Sequence, residues 1–178
     1  FHVIYHTIHN FCTVDLSSIY LDVLKDRIYT AKADSKERRA AQTVMHEILK
    51  SLVVMLAPVL TFTADEVWRF MPKEDGLEES VQLAAWPEAK PERIDAELEA
   101  KWEKLLEVRG EITKVLEGAR RDKTIGHSLD AAIELWAAGE TLALLKQVGE
   151  KELATLLIVS KVNLHDGLEQ ATAQACKA

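Results

Sequence analysis

The chain has 178 residues, of which 48% are apolar and 29% charged, with a formal net charge of −7. That length suits one large domain or a domain with a small appendage, and the apolar content is ample for a core. The acidic balance excludes a protein that holds nucleic acid by bulk charge alone, and seven glycines and four prolines leave helix as the dominant local tendency.

Cys12 and Cys176 stand far apart without a metal-spaced neighbour, so both read as reduced thiols rather than a disulfide framework. The uncharged stretch over residues 51–64 is shorter than the roughly 20 apolar residues a bilayer requires. A cytoplasmic chain is therefore expected. Phe1 opens directly on the apolar run Phe1, Ile4, Tyr5, Ile8, Phe11 and Cys12, which reads as a piece cut from a longer protein.

The first predicted helix covers residues 1 to about 13. Asp15 or Ser17 is then expected to cap a second, in which Leu16, Tyr20, Val23, Leu24, Arg27 and Ile28 share a face. Residues 31–35 are small and polar and read as a loop. A third helix starts near Ser35, carries Lys36, Glu37, Arg38 and Arg39 in its first turn, and then becomes almost wholly apolar up to Pro58. That profile predicts the central helix of a bundle, stopped by the proline. Thr63 and Glu66 have the spacing of a capping box, which predicts a short helix containing Val67, Trp68, Phe70 and Met71. Residues 73–91 read as irregular, with an acidic tip and an apolar, extended segment over 81–86. Asp95 is placed to cap a long helix to about Arg121, with Leu98, Trp102, Leu105, Val108, Ile112, Val115 and Ala119 on its inner face.

Beyond Arg121 the pattern predicts a strand at 132–137, helices at 141–148 and 151–157, and a strand at 159–165. The expected fold is mainly α: a helical bundle over residues 1–121, a small α/β junction over 122–168 and a flexible tail over 169–178.

Chemistry-bearing constellations are few. His2, His6 and His9 lie on one helix face, yet without a nearby cysteine or carboxylate they read as an ordinary stripe and not as a metal site. Asp65 and Glu66 are accounted for by capping, and acid–base catalysis needs groups that converge from different elements. There is no nucleophile elbow, P-loop or Gly-x-Gly-x-x-Gly run, so no catalytic centre is expected. Trp68, Trp86, Trp102 and Trp136 read as core anchors.

Two basic groups remain. Lys25, Arg27, Lys32, Lys36, Arg38 and Arg39 surround the junction of the second and third helices. Arg120, Arg121, Lys123 and His127 lie where the long helix ends. Both are compatible with a solvated charged surface and with a track for a phosphate backbone. Residues 20–50 carry seven Lys or Arg against five acids, whereas residues 60–110 carry seven against thirteen, so the first group sits in the more basic part of the chain.

Sequence blocks at these places resemble isoleucyl-tRNA synthetases. They are Val14-Asp-Leu-Ser-Ser-Ile-Tyr-Leu-Asp-Val-Leu-Lys-Asp-Arg-Ile-Tyr-Thr30, Arg39-Ala-Ala-Gln-Thr43 and Leu56-Ala-Pro-Val-Leu-Thr-Phe-Thr-Ala-Asp-Glu-Val-Trp68. Val108-Arg-Gly-Glu-Ile-Thr-Lys-Val-Leu-Glu117 and Lys123-Thr-Ile-Gly-His-Ser-Leu-Asp130 follow in the family's order. The third block is shared with class I synthetases for other branched amino acids, while Lys-Asp-Arg-Ile-Tyr-Thr favours isoleucine. The resemblance implies an anticodon-binding region of a bacterial enzyme that joins isoleucine to its tRNA with ATP and magnesium. It further implies contact with the anticodon arm and with the catalytic body, in a monomer. On this reading Lys25, Arg27, Lys32, Lys36, Arg38, Arg39, Arg120, Arg121 and Lys123 position the RNA, and Tyr29 is a stacking candidate. The family's His-Ile-Gly-His and Lys-Met-Ser-Lys-Ser signatures are absent, as is the cysteine-rich zinc module that often ends bacterial members. The alternatives are the equivalent domain of a valyl or leucyl enzyme and a helical protein-interaction module without affinity for RNA.

Overall fold

A computed structural model describes residues 1–72, 76–167 and 172–178. It has two compact units, Phe1–Arg93 and Ile94–Ala178.

The first unit opens with α1 (His2–Asn10), a wide-turned π-helical segment (Phe11–Leu21) and α2 (Asp22–Tyr29), which run on without a break. The helix start expected at Asp15 or Ser17 does not occur. No proline or glycine interrupts the run, and the polar side chains bond backwards. Thr13 Oγ1 donates to the His9 carbonyl (2.8 Å) and Ser18 Oγ to the Thr13 carbonyl (2.6 Å), instead of capping amides ahead of them. α3 (Lys36–Leu56) starts where Ser35 Oγ accepts from the Arg38 amide, and it stops just before Pro58. Its burial is confined to Ala41, Val53 and Val54, while Val44 and Leu49 stay exposed. α4 (Thr61–Phe70) begins two residues ahead of the expected cap. Thr63 caps nothing, because the turn after Pro58 already sets the first helical residue: the Ala64 amide bonds the Leu60 carbonyl and Thr61 Oγ1 bonds that of Ala57.

The core of this unit joins Val53, Val54 and Ala57 to Ala64, Trp68, Met71 and Val81. Trp68 is its anchor, 1% exposed, with its indole N–H on the Glu78 carbonyl at 2.9 Å. The segment expected to be extended is instead a 3₁₀ turn, Val81–Leu83, which drives Val81 into that core. The acidic tip at residues 73–75 lies outside the described residues.

The second unit is built on α5 (Ala96–Arg121), β1 (Ala131–Ala137), α6 (Gly139–Val148), α7 (Glu150–Leu157), β2 (Lys161–Asp166) and β3 (Thr172–Lys177). Asp95 caps α5 as its spacing requires, accepting from the Leu98 amide at 2.9 Å. The strand order is β2-β1-β3. β1 and β2 are parallel, with Ile133 opposite Val162 and the α6–α7 pair as their crossover. Ile133, Leu135, Leu145, Leu153 and Val162, all at most 2% exposed, form the core between sheet and helices.

Residues 172–177, expected in a flexible tail, pair antiparallel with β1, Glu134 opposite Gln174. Their backbone closes the free edge of β1, and the small Ala173 and Ala175 let the strand pack against α5. Residues 169–171 of that tail lie outside the described residues. α5 packs on β3, α6 and α7, and the division by contacts at 93/94 joins the long helix to the sheet. Among the described residues, no helix is long and apolar enough to cross a membrane.

Candidate nucleic-acid interface

The first basic group lies at the α2–α3 corner, and its members differ in how their charge is used. Lys25 is bonded to Asp22 at 2.5 Å, and this contact raises its ammonium above the usual lysine range while the side chain stays exposed. Arg27 is half-buried beside Tyr20; burial raises the Tyr20 phenol, and the Arg27 charge opposes that shift. Arg38 turns back into the corner, donating from Nη1 to the Ala31 carbonyl at 3.0 Å, with its Nε buried and without a partner among the described residues. Lys32, Lys36 and Arg39 are exposed, and no ion pair holds them among the described residues. Tyr29 ends α2 with 81% of its surface exposed.

The second group lies at the end of α5. Arg120 bonds Glu117 and the buried hydroxyl of Ser128, which ties the helix to the turn Ser128–Asp130. Arg121 is exposed, 3.9 Å from Asp122. Lys123 is exposed and takes a left-handed backbone (φ 59°) that ends the helix. His127 caps the following turn, accepting from the Leu129 amide through Nδ1 while its own amide donates to Asp130. Sequence spacing located all of these charges. It did not separate the partnered from the open ones, since Ser128 and Ala31 are eight and seven residues from the arginines they engage.

Elsewhere among the described residues, basic groups stand mixed with acids. A groove of about 490 Å³ in the first unit mixes His46, Lys50 and Lys90 with Glu47, Glu78 and Glu88, and Glu47 already pairs with Arg93. On the sheet face opposite Ile133, Glu134 bonds Asn163 (2.5 Å) and His165, and His165 stacks on Trp136 with ring centroids 5.1 Å apart. These two hydrogen bonds, His165 first, hold the Glu134 carboxyl below its ordinary value. Sequence reasoning missed this cluster because its members are about thirty residues apart. Of the expected tryptophan anchors, Trp68 is buried and Trp136 half-buried, whereas Trp86 and Trp102 are 63% and 45% exposed. On α1, Tyr5 packs against His6 and His9 with ring centroids 5.2 and 5.5 Å apart, and no group of three or more metal-ligating side chains assembles among the described residues.

Residues 1–135 match the sequence family described as the anticodon-binding domain of tRNA ligase. The chain belongs to that family. The match covers the whole first unit, α5 and most of β1. The isoleucine–tRNA ligase of Moorella thermoacetica is 51% identical over 178 residues, all of this chain and 19% of the relative. That of Desulforamulus reducens is 52% identical over the same share of each. That of Natranaerobius thermophilus is 55% identical over 164 residues, 92% of this chain and 17% of the relative. The chain thus spans about a fifth of the length of the curated relatives it matches. Membership of an anticodon-binding family removes the ground for reading the helices as a protein-interaction module without affinity for RNA.

Proposed function

We infer that this chain is the part of an isoleucine–tRNA ligase that grips the anticodon arm of isoleucine tRNA. The observation that carries the reading is the match of the entire chain, at about half identity, to ligases of that name, inside an anticodon-binding family. The same relatives favour isoleucine over valine or leucine. Catalysis belongs to the remaining four fifths of such an enzyme: attachment of isoleucine with ATP and magnesium requires residues this chain does not carry, and Cys12 and Cys176, in different units, offer no zinc module. The chain's own work is binding and orientation, in the cytoplasm, as a monomer joined to the catalytic body.

The open cations Lys32, Lys36, Arg39 and Lys123, with Arg121 beside Asp122, supply electrostatic attraction to phosphate, and bases in the unpaired loop supply sequence. The test is a fluorescence-anisotropy titration with a labelled isoleucine anticodon arm at low and moderate salt, with a valine arm as competitor. Binding that weakens with salt and prefers the isoleucine arm is expected. Equal affinity for both arms would remove the isoleucine assignment, and the absence of binding at either salt would remove the RNA-binding role of this chain.

A further inference from the structure

The first helix of the chain is apolar without being packed. Residues 1–14 contain no Lys, Arg, Asp or Glu, in a chain of which 29% is charged. They nevertheless lie on the surface. No residue of α1 or of the π-helical segment after it is buried, and Val3, Ile4 and Tyr5 are 63, 51 and 61% exposed. Among the described residues, the main contacts of α1 are with the segment that continues it.

These apolar residues form a row. Ile4, Tyr5, Ile8, Phe11 and Cys12 recur at the spacing that gathers them on one side of an α-helix, with His2, His6 and His9 on another. The wider turns after Asn10 carry the row round the helix, so a straight partner follows it along α1 and the start of the next segment. In α5, where the fold supplies a partner for such a row, Leu105, Ile112 and Leu116 are buried. The missing charges say which partner fits α1. An RNA backbone or an anionic membrane calls for Lys or Arg, and this helix has neither. A partner that comes and goes leaves behind a surface that must also be soluble alone, whereas a permanent one tolerates an apolar, charge-depleted face. A permanent occupant is available. The chain covers 19% of the isoleucine–tRNA ligases that it matches along its whole length, so about four fifths of such an enzyme lies outside it.

We propose that α1 is an internal docking face of the ligase, covered by an amphipathic helix from the part of the enzyme outside this chain. That helix lays an apolar stripe of its own along Ile4, Tyr5, Ile8 and Phe11, as two helices do when their side chains interdigitate. The proposal rests on the ligase reading and not on contact with RNA: it gives a use to a surface for which tRNA binding has none.

The test compares amide hydrogen exchange in this chain with that in the whole isoleucine–tRNA ligase of Moorella thermoacetica, 51% identical over all 178 residues. Peptides from residues 2–21 should exchange fast in the chain, and the aligned peptides of the ligase at least about tenfold more slowly. Peptides around the buried Val53 and Val54 should differ little between the two. Ile4→Gln with Tyr5→Gln should leave the melting temperature of this chain unchanged, because both side chains are already in water. Gln at the two aligned positions of the ligase should return that segment to the fast exchange of the free chain. Equal exchange of the segment in chain and ligase would overturn the docking face. So would protection that disappears when the ligase is diluted, since that assigns the face to a second copy, whereas a helix of the same polypeptide stays in place at any dilution. Failure of the anticodon-arm titration would remove the tRNA reading and leave the exchange result to stand on its own.

Discussion

At the α2–α3 corner, Lys32, Lys36 and Arg39 stand exposed and outside any ion pair among the described residues, whereas at the end of α5 Arg120 is bound to Glu117 and Ser128. Both regions were equally visible as clusters of Lys and Arg. They differ in what the surrounding chain supplies. After α5, a turn folds back and delivers a buried hydroxyl to the guanidinium, which Glu117 of the helix itself already pairs, so its charge is spent on joining the helix to the turn before β1. Before α3, the fold draws in Arg38 and pairs Lys25 with Asp22, while Lys32, Lys36 and Arg39 stand in no ion pair among the described residues. Availability, more than number, is what separates a recognition surface from a structural one, since an exposed and already paired charge contributes little to either.

Opening the core at the C-terminal end of α3 should have the largest effect. Trp68→Ala takes a 1% exposed indole from the core that seats the second half of α3, and should cost the first unit about 3–5 kcal/mol. In a urea titration followed by separate probes in each unit, the second unit should unfold at its original midpoint. A shared shift would mean that the two units unfold as one, which would break the comparison.

Arg120→Ala should come next, lowering the stability of the second unit by about 1–2 kcal/mol, because it strands the buried Ser128 hydroxyl. Its effect on the salt dependence of RNA binding should be smaller than that of Arg39→Ala. If Arg120→Ala flattens the salt slope as much as Arg39→Ala does, the contrast between spent and open charge fails. Arg39→Ala itself should change stability by no more than about 0.5 kcal/mol, measured by thermal melting, since its side chain is exposed and unpaired among the described residues.

The smallest effect concerns pH. His165 and Asn163 hold the Glu134 carboxyl below its ordinary value. A group whose folded pKa is depressed adds stability above its unfolded pKa and loses it as pH falls through the folded one. Glu134→Gln should therefore narrow the difference in melting temperature between pH 6 and pH 3, and by little, because the carboxylate is partly exposed. An unchanged difference would remove Glu134 from the acid response.

Much of the local structure was legible from short-range chemistry. Ser35 and Asp95 start α3 and α5, Pro58 ends α3, and Ala131–Ala137 alternates as a half-buried strand does. For the two caps and the proline the deciding interaction lies within four residues. The errors share the opposite property. Thr63 has a capping sequence and caps nothing, because the turn after Pro58 starts α4 earlier. Thr13 and Ser18 bond backwards and carry the helix through Asp15 and Ser17, where a new start was expected. Residues 172–177 have too little apolar content to announce a strand, yet they complete the sheet because β1, some forty residues away, has an edge to pair.

The sequence by itself determined the helical character, the caps at Ser35 and Asp95, the places where positive charge gathers and, through its blocks of resemblance, the family. These follow from propensity, spacing and composition, which are local quantities. Tertiary structure alone decided that the long helix belongs with the sheet, that the last strand is ordered, and that Tyr29, Lys32, Lys36 and Arg39 are open while Arg38 and Arg120 are engaged. The physical reason is the same for all three. Each depends on which groups meet across a turn or between elements, and a hydrogen bond or a packed edge is settled by the partner that arrives, not by the residue that waits for it.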